Sequence, residues 1–333
     1  MNLVEVTRSG LVESVHAGSI AVTDAKGEIL AYFGEVEQSV FMRSAEKPLQ
    51  ALPVLEFGVA NRFKFSESEI AVICGSHSGQ KFHIEAVLSI LEKIGLDEGA
   101  LKCAARYPLH RKSSNELILE GKKPGPVHNP CSGKHAGMLA LSVFFGYSIE
   151  DYYEVDHPVQ KIMLESISYL AEVTEDDIMI GIDGCGVPVH GIPLKNMALC
   201  FAKLTNPKNL PTERGIAAQR IVKAMRNHPE MVAGDKRLCT ALIQSTKNII
   251  AKVGAEGVYC AAIPDKNIGI AIKIDDGGDR ALSPVVIEVL NQLDMLDKNE
   301  LKLLADYHYP PVMTHQKEVI GAVMPVFGLN FAP

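Results

Sequence analysis

The sequence predicts an α+β fold in which an antiparallel sheet, built from strands near both ends of the chain, packs against a block of helices. Three observations favour this arrangement. The first forty residues alternate apolar and polar side chains in short runs. The middle of the chain carries apolar residues at helical spacing, and β-branched runs return around residue 260. The sequence contains no GxGxxG or Walker motif, so a doubly wound nucleotide-binding fold has no support.

The predicted elements begin with a β-meander, because short alternating runs are separated by turn residues. Its three strands cover residues 11–15, 19–23 and 28–33. The period then changes to that of helices. Ser66 and Glu69 form the Ser-x-x-Glu pattern of a helix N-terminus. Apolar residues at helical spacing predict a helix over 82–94 that ends at Gly95.

From residue 133 onward, helices are predicted on both sides of a late hairpin. The apolar pattern predicts helices over residues 133–145, 158–171, 196–204, 214–226, 238–246 and 281–293. An apolar strand over 177–182 runs into a glycine turn at 183–186. Two β-branched runs, 257–263 and 268–274, are separated by four turn residues and predict an antiparallel hairpin.

The composition is that of a globular protein and excludes several functional classes. The chain has 333 residues, of which 47% are hydrophobic and 22% charged, which excludes disordered and fibrous chains. A net charge of −7 and the lack of long lysine or arginine runs argue against nucleic-acid binding. The apolar runs are too short to span a bilayer and the first residues lack an export signal, so we expect a soluble cytoplasmic protein without a membrane partner.

The chain is expected to form a single domain over residues 1–333, with a helical subregion over about 60–250. No repeat or low-complexity tract divides it. The seven cysteines are scattered and include no CxxC pair, which suits a reducing compartment without disulfides.

Ser44 and Lys47 form a Ser-x-x-Lys tetrad where a loop enters a helix. This spacing would place both side chains on one face, a single turn apart. Such a serine can act as a nucleophile if a lysine with a lowered pKa accepts its proton. The competing interpretation is a helix N-cap serine beside a solvated lysine, and a second Ser-x-x-Lys at 78–81 shows that the pattern also arises by chance.

A glycine-flanked turn carries Ser76, His77 and Ser78 at the end of an apolar segment. Either serine suits a second nucleophile or a donor to substrate. A surface turn with an exposed histidine is the alternative interpretation.

Lys273 interrupts an otherwise apolar strand. A lysine at such a position is either an edge residue that limits aggregation or a functional amine with a shifted pKa. Both interpretations fit the sequence.

Two cysteines lie in glycine-containing motifs that suit a metal ion. Cys131 begins a strongly apolar helix, with Lys134 and His135 in its first turn. A helix N-terminus favours the thiolate, which serves either nucleophilic attack or metal binding. Cys185 follows a strand end, with Asp183 two residues earlier. Two thiolates and a nitrogen ligand resemble an incomplete tetrahedral zinc site, and two buried structural cysteines are the alternative.

Six motifs together occur in the order seen in the rhizobial-type (class 3) L-asparaginases, and the resemblance spans nearly the whole chain. The motifs are Arg43-Ser44-x-x-Lys47-Pro48-x-Gln50, Ser76-His77-Ser78-Gly79, Cys131-Ser132-Gly133-Lys134-His135, Asp183-Gly184-Cys185-Gly186-Val187-Pro188, His228-Pro229-Glu230-Met231-Val232-Ala233-Gly234 and Gly254-Ala255-Glu256-Gly257. The family resembles serine β-lactamases and glutaminases in fold, and its members hydrolyse the side-chain amide of L-asparagine to L-aspartate and ammonia. The resemblance also implies a homodimer.

Carried over residue by residue, the resemblance implies two Ser-Lys catalytic pairs. Ser44 with Lys47 forms the first pair and Ser76 with Lys273 the second. Lys266 is the alternative second lysine, because it lies only seven residues upstream. An activated serine would attack the amide carbon, ammonia would leave, and water would hydrolyse the acyl-enzyme. Both serines are candidates for the nucleophile.

The resemblance also implies a zinc ion and a set of substrate contacts. The implied zinc ligands are Cys131, Cys185 and, unusually, Lys134. One departure from the family pattern is that Pro130 stands where Asn is common, so Asn129 is expected to supply the amide. The residues expected to contact substrate are Arg43, Ser78, His135 and Asp183.

Two other functions use the same residues. One is a zinc hydrolase of another small amide, in which water on the metal attacks and the serines only position the substrate. The other is a non-catalytic protein that binds an amino acid or a metal. A penicillin-recognising enzyme shares Ser-x-x-Lys, but the Ser-Asp-Asn and Lys-Thr-Gly companions are absent from the sequence.

Overall fold

The structure, a computed structural model, describes residues 2–332 and combines antiparallel sheets with a block of helices. The strands are β1 (Asn2–Arg8), β2 (Leu11–Asp24), β3 (Ile29–Phe33), β4 (Ser39–Phe41), β5 (Met179–Ile182), β6 (Pro188–Pro193), β7 (Ile250–Gly254), β8 (Val258–Ile263), β9 (Ile268–Ile274), β10 (Pro311–Met313), β11 (Val319–Pro325) and β12 (Asn330–Phe331).

The helices lie mainly between the strands of the two ends. The α-helices are α1 (Lys47–Gln50), α2 (Leu52–Glu56), α3 (Val59–Arg62), α4 (Glu67–Ile73), α5 (Lys81–Lys93), α6 (Arg111–Leu119), α7 (Ser132–Phe145), α8 (Pro158–Ala171), α9 (Leu194–Leu204), α10 (Thr212–Asn227), α11 (Pro229–Val232), α12 (Leu238–Ser245), α13 (Asp279–Gln292), α14 (Lys298–Leu303) and α15 (Ala305–His308). Short 3₁₀ helices cover Arg43–Glu46, Glu98–Ala100, Pro126–His128, Glu175–Asp177, Pro207–Asn209 and Pro264–Lys266.

The larger sheet is antiparallel and joins the two ends of the chain. Its strand order is β10-β11-β1-β2-β9-β8-β7, and β3 pairs with both β2 and β12. The last strands therefore return to the first ones, as the sequence predicts. A smaller sheet has the order β4-β6-β5. These sheets and the intervening helices confirm the α+β class.

The helix predictions and the late hairpin are confirmed, whereas the N-terminal strands differ. Ser66 caps α4 and exchanges hydrogen bonds with Glu69 in a full capping box. The predicted meander strands 11–15 and 19–23 are one continuous strand, β2. Alternation breaks near Ala17 because β2 changes partners there, from β1 to β9. The sheet formed by both chain ends is as predicted, but strands β1, β4, β6, β7 and β10–β12 have no individual counterpart among the predicted strands.

One hydrophobic core joins the large sheet to the helices. Helix α9 lies on β9, and α7 lies at the centre of the helical block, with every residue from Ser132 to Ser142 buried. The strongly apolar composition of α7 predicts this central position. Among residues 2–332, no helix combines the length and apolar character needed to cross a bilayer.

The sheet and α9 approach each other most closely at Gly269. A Cβ atom at this position would overlap the carbonyl oxygen of Ala198 and the backbone nitrogen of Ala202. Gly269→Ala is therefore expected to lower the free energy of unfolding by about 3 kcal/mol, because backbone must shift to relieve the overlap. Urea unfolding measures the effect. Gly328→Ala is the control, since a Cβ there meets no atom within 4 Å, and equal midpoints for the two variants would contradict the expectation.

Candidate active site

Nine segments surround a cavity of about 610 Å³. They are the turn after β4, the turn after α4, the loop before α6, the turn before α7, the loop after β5, the end of β7, the starts of α12 and α13, and α15. Loops from separate elements can place reactive side chains around one space while the sheet and helices stay rigid. The lining residues that carry chemistry are Arg43, Ser44, Ser76, Arg106, Cys131, Asp183, Cys185, Arg237 and Asp279.

Ser76 lines this cavity and contacts two lysines. Its Oγ lies 2.9 Å from Lys47 Nζ and 2.8 Å from Lys252 Nζ. Lys47 Nζ also donates to the carbonyl oxygens of Gly75 and Pro130, and Lys252 Nζ donates to that of Val253. Both lysine side chains are fully buried. The hydroxyl is therefore held between two amines that are shielded from water.

Burial changes the proton affinity of Lys252. Burial, together with the positive charges of Lys47 and then Arg237, lowers the pKa of Lys252 to about 7. Removing an ammonium from water disfavours its charged form, and neighbouring cations add to that effect. Near neutral pH, a large share of Lys252 is consequently a neutral amine that can accept a proton.

The predicted pairing of Ser76 with Lys273 is wrong. Lys273 Nζ instead donates to the carbonyl oxygens of Glu256 and Ile274. Lys266, the alternative, lies in the exposed turn between β8 and β9. The second lysine that contacts Ser76 in the structure is Lys252. The sequence carries the same signal for both lysines, since Lys252 interrupts the apolar run 249–253 in the same way as Lys273 interrupts its strand.

Ser44 lines the same cavity, but its side chain does not form the predicted direct contact with Lys47. Ser44 is in the 3₁₀ turn Arg43–Glu46, and Lys47 begins the next helix. Among residues 2–332, the hydrogen bonds of Lys47 Nζ go to Gly75, Ser76 and Pro130. Arg43, just before Ser44, has a φ of 50°. A non-glycine residue in this left-handed region stores strain, which is typical of a functional turn.

The turn that carries Ser76 is tied to the loop between α11 and α12. The Ser76 N–H donates to the Val232 carbonyl, and Ser78 Oγ donates to that of Ala233. Ser78, a predicted substrate contact, is buried and is not among the residues that line the cavity. Gln80 bonds Asp235 twice: its Nε2 donates to the carboxylate, and its Oε1 accepts from the backbone N–H. The two loops therefore hold each other in register.

The two predicted thiols meet a carboxylate at the wall of the same cavity. One ligand-type atom each from Cys131, Asp183 and Cys185 lie within 4.8 Å of one another. Asp183 Oδ1 accepts from Arg43 Nε at 2.9 Å, and its Oδ2 lies 3.6 Å from Lys134 Nζ. Asn129 supports the motif as expected, because its Oδ1 accepts from the Cys131 N–H.

Neighbouring groups shift the pKa values of the two thiols in opposite directions. The hydrogen bond with Cys131 lowers the pKa of Cys185 to about 6, while the same bond and burial raise the pKa of Cys131 to about 12. Burial alone would lower the pKa of Lys134, but the charges of Cys185, Cys131 and Asp183 outweigh burial and raise it. Cys185 is thus the more acidic of the two thiols, and it lies close to the buried Lys134 ammonium.

The side chains of His135 and His77 are both buried, and neither lines the cavity. His135, a predicted substrate contact, is fully buried, contacts Tyr152 through Nδ1 and is not among the residues that line the cavity. Burial lowers the pKa of His135 to about 3. His77 is also fully buried, not exposed, and its Nε2 contacts Ser132 Oγ at 2.7 Å. That contact links the Ser76 turn to the start of α7.

Comparisons with known proteins agree with the sequence motifs. No curated protein is similar enough to count as a match. The solved structure of Mglu in its native form is 13% identical at a TM-score of 0.46, covering 85% of this chain and 66% of that one, so this chain spans slightly under two thirds of Mglu. A mutant class C beta-lactamase is 15% identical at a TM-score of 0.46, covering 83% of this chain and 92% of that one. The family model of L-asparaginase II matches residues 4–325. This match over nearly the whole chain shows that the protein belongs to the L-asparaginase II family, which supports an asparaginase-type amidohydrolase.

Proposed function

We propose that the protein hydrolyses the side-chain amide of L-asparagine to L-aspartate and ammonia through serine chemistry driven by Lys47 and Lys252. The observation that carries this proposal is the position of Ser76 Oγ, which lies within 3 Å of both lysine amines at the wall of the cavity. A hydroxyl needs a neighbouring base before it can attack an amide, and a buried lysine with a pKa near neutrality is such a base.

The chemistry proceeds by acyl transfer. Neutral Lys252 accepts the Ser76 proton while Lys47 holds the oxygen by a hydrogen bond. Two alternative first steps use these groups. Either Ser76 itself attacks the amide carbon, or Ser76 accepts the proton of Ser44 and the Ser44 oxygen attacks that carbon. In both, an O–C bond forms and the C–N bond breaks, and the proton passes from the lysine to the leaving nitrogen, which departs as ammonia. Water then attacks the ester. The lysine accepts the proton of the water and returns it to the serine oxygen that leaves.

We further propose zinc at Cys131, Cys185 and Lys134, with Asp183 beside them. Ligand atoms of a tetrahedral zinc site lie roughly 3–4 Å apart. The two thiols and the carboxylate are compatible with that spacing, because one ligand atom of each lies within 4.8 Å of the other two. Lys134 must be neutral to ligate, and the thiolate charges that raise its pKa are the charges that a zinc ion would neutralise. Zinc bound there would polarise a substrate group as a Lewis acid.

Cys131→Ser and Cys185→Ser are each expected to lose stoichiometric zinc. A serine hydroxyl stays protonated near neutral pH and binds zinc far more weakly than a thiolate. Elemental analysis of the dialysed proteins measures the metal content. Cys103→Ser is the matched control, because Cys103 is also buried but its thiol contacts the Pro126 carbonyl. Full zinc retention by either of the first two variants would remove that cysteine from the ligand set.

Ammonia release tests the function directly. The wild-type protein is assayed with L-asparagine, L-glutamine and small amides, before and after chelation. We expect release from L-asparagine above all. Hydrolysis that vanishes on chelation and persists in Ser76→Ala would favour the zinc hydrolase, in which the serines only position substrate. Binding of asparagine without ammonia from any substrate would favour a non-catalytic protein.

A further inference from the structure

We infer that Arg237 binds the α-carboxylate of the substrate and thereby selects amides that carry a free carboxylate. This inference rests on the proposed amidohydrolase function and adds a specificity residue to it. Arg237 lines the same cavity as Ser76. An arginine presents a planar fork of donors that matches a carboxylate in two parallel hydrogen bonds.

Arg237 is the partly buried cavity arginine that has no anionic partner within the described chain. Arg43 is already engaged, since its Nε donates to Asp183 Oδ1 at 2.9 Å. In the region from residue 2 to residue 332, no carboxylate oxygen lies within 4.0 Å of the Arg237 guanidinium, although Asp279 lines the same cavity. A half-buried cation that faces a cavity without a partner is a site for an anion, because pairing recovers part of its lost hydration.

The fold fixes Arg237 relative to the nucleophile turn. Arg237 closes the loop that begins at Val232, and that loop is bonded to the Ser76 turn by the hydrogen bonds of Ser78 and Gln80. Gly234 permits this contact, with a φ of 109° and a Cβ position already filled by Gln80 and Ser78. The Arg237 charge also acts on Lys252, which contacts Ser76. The loop that carries Arg237 and the turn that carries Ser76 are therefore held against each other.

The chemistry of the substrate matches this pair of groups. The side-chain amide and the α-carboxylate of asparagine are separated by a short carbon chain, so one end can lie at Ser76 while the other pairs with Arg237. Arg106 is the other cavity arginine without a carboxylate partner among residues 2–332, but it is exposed at the rim of the cavity. An exposed arginine–carboxylate pair is screened by water and contributes little.

The test compares L-asparagine with L-asparagine methyl ester, whose α-carboxylate is neutralised while the side-chain amide is unchanged. Ammonia release is measured for the wild type, Arg237→Gln, Arg237→Lys and Arg106→Gln. Arg237→Gln is expected to lower kcat/KM for L-asparagine by about 10–100-fold, mainly through KM, because a charge-assisted hydrogen bond to the carboxylate is lost. The methyl ester should change by no more than about threefold, and Arg237→Lys should recover part of the loss. Arg106→Gln should alter the ratio between the substrates by less than about twofold.

Equal losses on the two substrates in Arg237→Gln would overturn the inference, as would a selective loss in Arg106→Gln. Calorimetry with L-aspartate separates this inference from the proposed function. If neither the wild type nor any variant releases ammonia, the proposed function fails. Carboxylate binding by Arg237 is still supported in that case if Arg237→Gln binds L-aspartate at least about tenfold more weakly than the wild type. Unchanged affinity overturns it. Should Arg237→Gln fail to fold, Arg237→Lys gives the same comparison with the charge retained and the fork removed.

Discussion

Replacing Ser76 with alanine is expected to lower kcat by about 10³-fold or more, because nucleophile-base units lose most of their rate when one member is removed. The Ser76 hydroxyl is the group that joins Lys47 to Lys252, at 2.9 and 2.8 Å. Alanine leaves both amines without a hydroxyl to activate or relay through. Steady-state ammonia release from L-asparagine measures the loss, and circular dichroism confirms that the variant is folded.

Ser283→Ala is the matched control for this prediction. Ser283 lines the same cavity from α13, so its replacement also removes a hydroxyl from the cavity wall. Its kcat should stay within about threefold of the wild type, as a surface-type substitution away from the reacting groups usually does. Near-normal turnover in Ser76→Ala would remove the two-lysine mechanism.

A covalent probe identifies the attacking serine. The protein is treated with a diazoketone analogue of asparagine, and the modified peptide is mapped by mass spectrometry. An adduct on Ser76 means that this hydroxyl attacks, and an adduct on Ser44 means that Ser76 relays the proton. Ser44→Ala should then retain labelling only in the first case. An adduct on Cys131 or Cys185 alone would contradict serine catalysis, because it would make a thiolate the reactive nucleophile.

Sequence reasoning identified the parts of this site that lie in short contiguous motifs. Ser76, Cys131 and Cys185 each lie at a glycine turn next to an apolar segment, and such turns present side chains at element ends. The structure brings Cys131 and Cys185 together as the motifs suggest. Helix bounds were predictable for a similar reason, since apolar spacing and the Ser66 capping box are local features.

The second lysine could not be identified from local sequence, because strand order decides which lysine reaches Ser76. Lys252 and Lys273 both interrupt apolar runs. Strand β7 lies at the end of the sheet order, whereas β9 lies two strands further in. Neighbouring strands are about 4.8 Å apart, so Lys273 begins about 10 Å farther from Ser76 across the sheet. The Ser44–Lys47 pairing differed because Ser44 lies in a 3₁₀ turn and Lys47 begins the following helix, so the expected shared helical face does not form.

Replacing Lys252 with methionine is expected to lower kcat/KM by about 10²–10⁴-fold, the usual contribution of a general base. The pH profile gives the sharper test. The pKa of Lys252 is lowered to about 7 by burial and by Lys47, and Arg237, Cys239 and Cys131 are the other charged or titratable groups that act on it. The neutral amine is the active form, so kcat/KM of the wild type should be level above pH 7 and fall about tenfold per unit well below it.

Lys252→Arg separates a proton-accepting base from a fixed positive charge at this position, and Lys273→Met is the control. Lys252→Arg keeps a positive charge but cannot lose its proton near neutral pH, so it should be as inactive as Lys252→Met and should lack the acid limb near pH 7. Substantial activity in Lys252→Arg would instead assign Lys252 an electrostatic role. Lys273→Met is the matched control: its ammonium contacts backbone carbonyls of Glu256 and Ile274 rather than Ser76. It should keep the acid limb of the wild type, because the group that titrates there is untouched, and loss of that limb in Lys273→Met would return the second catalytic lysine to β9.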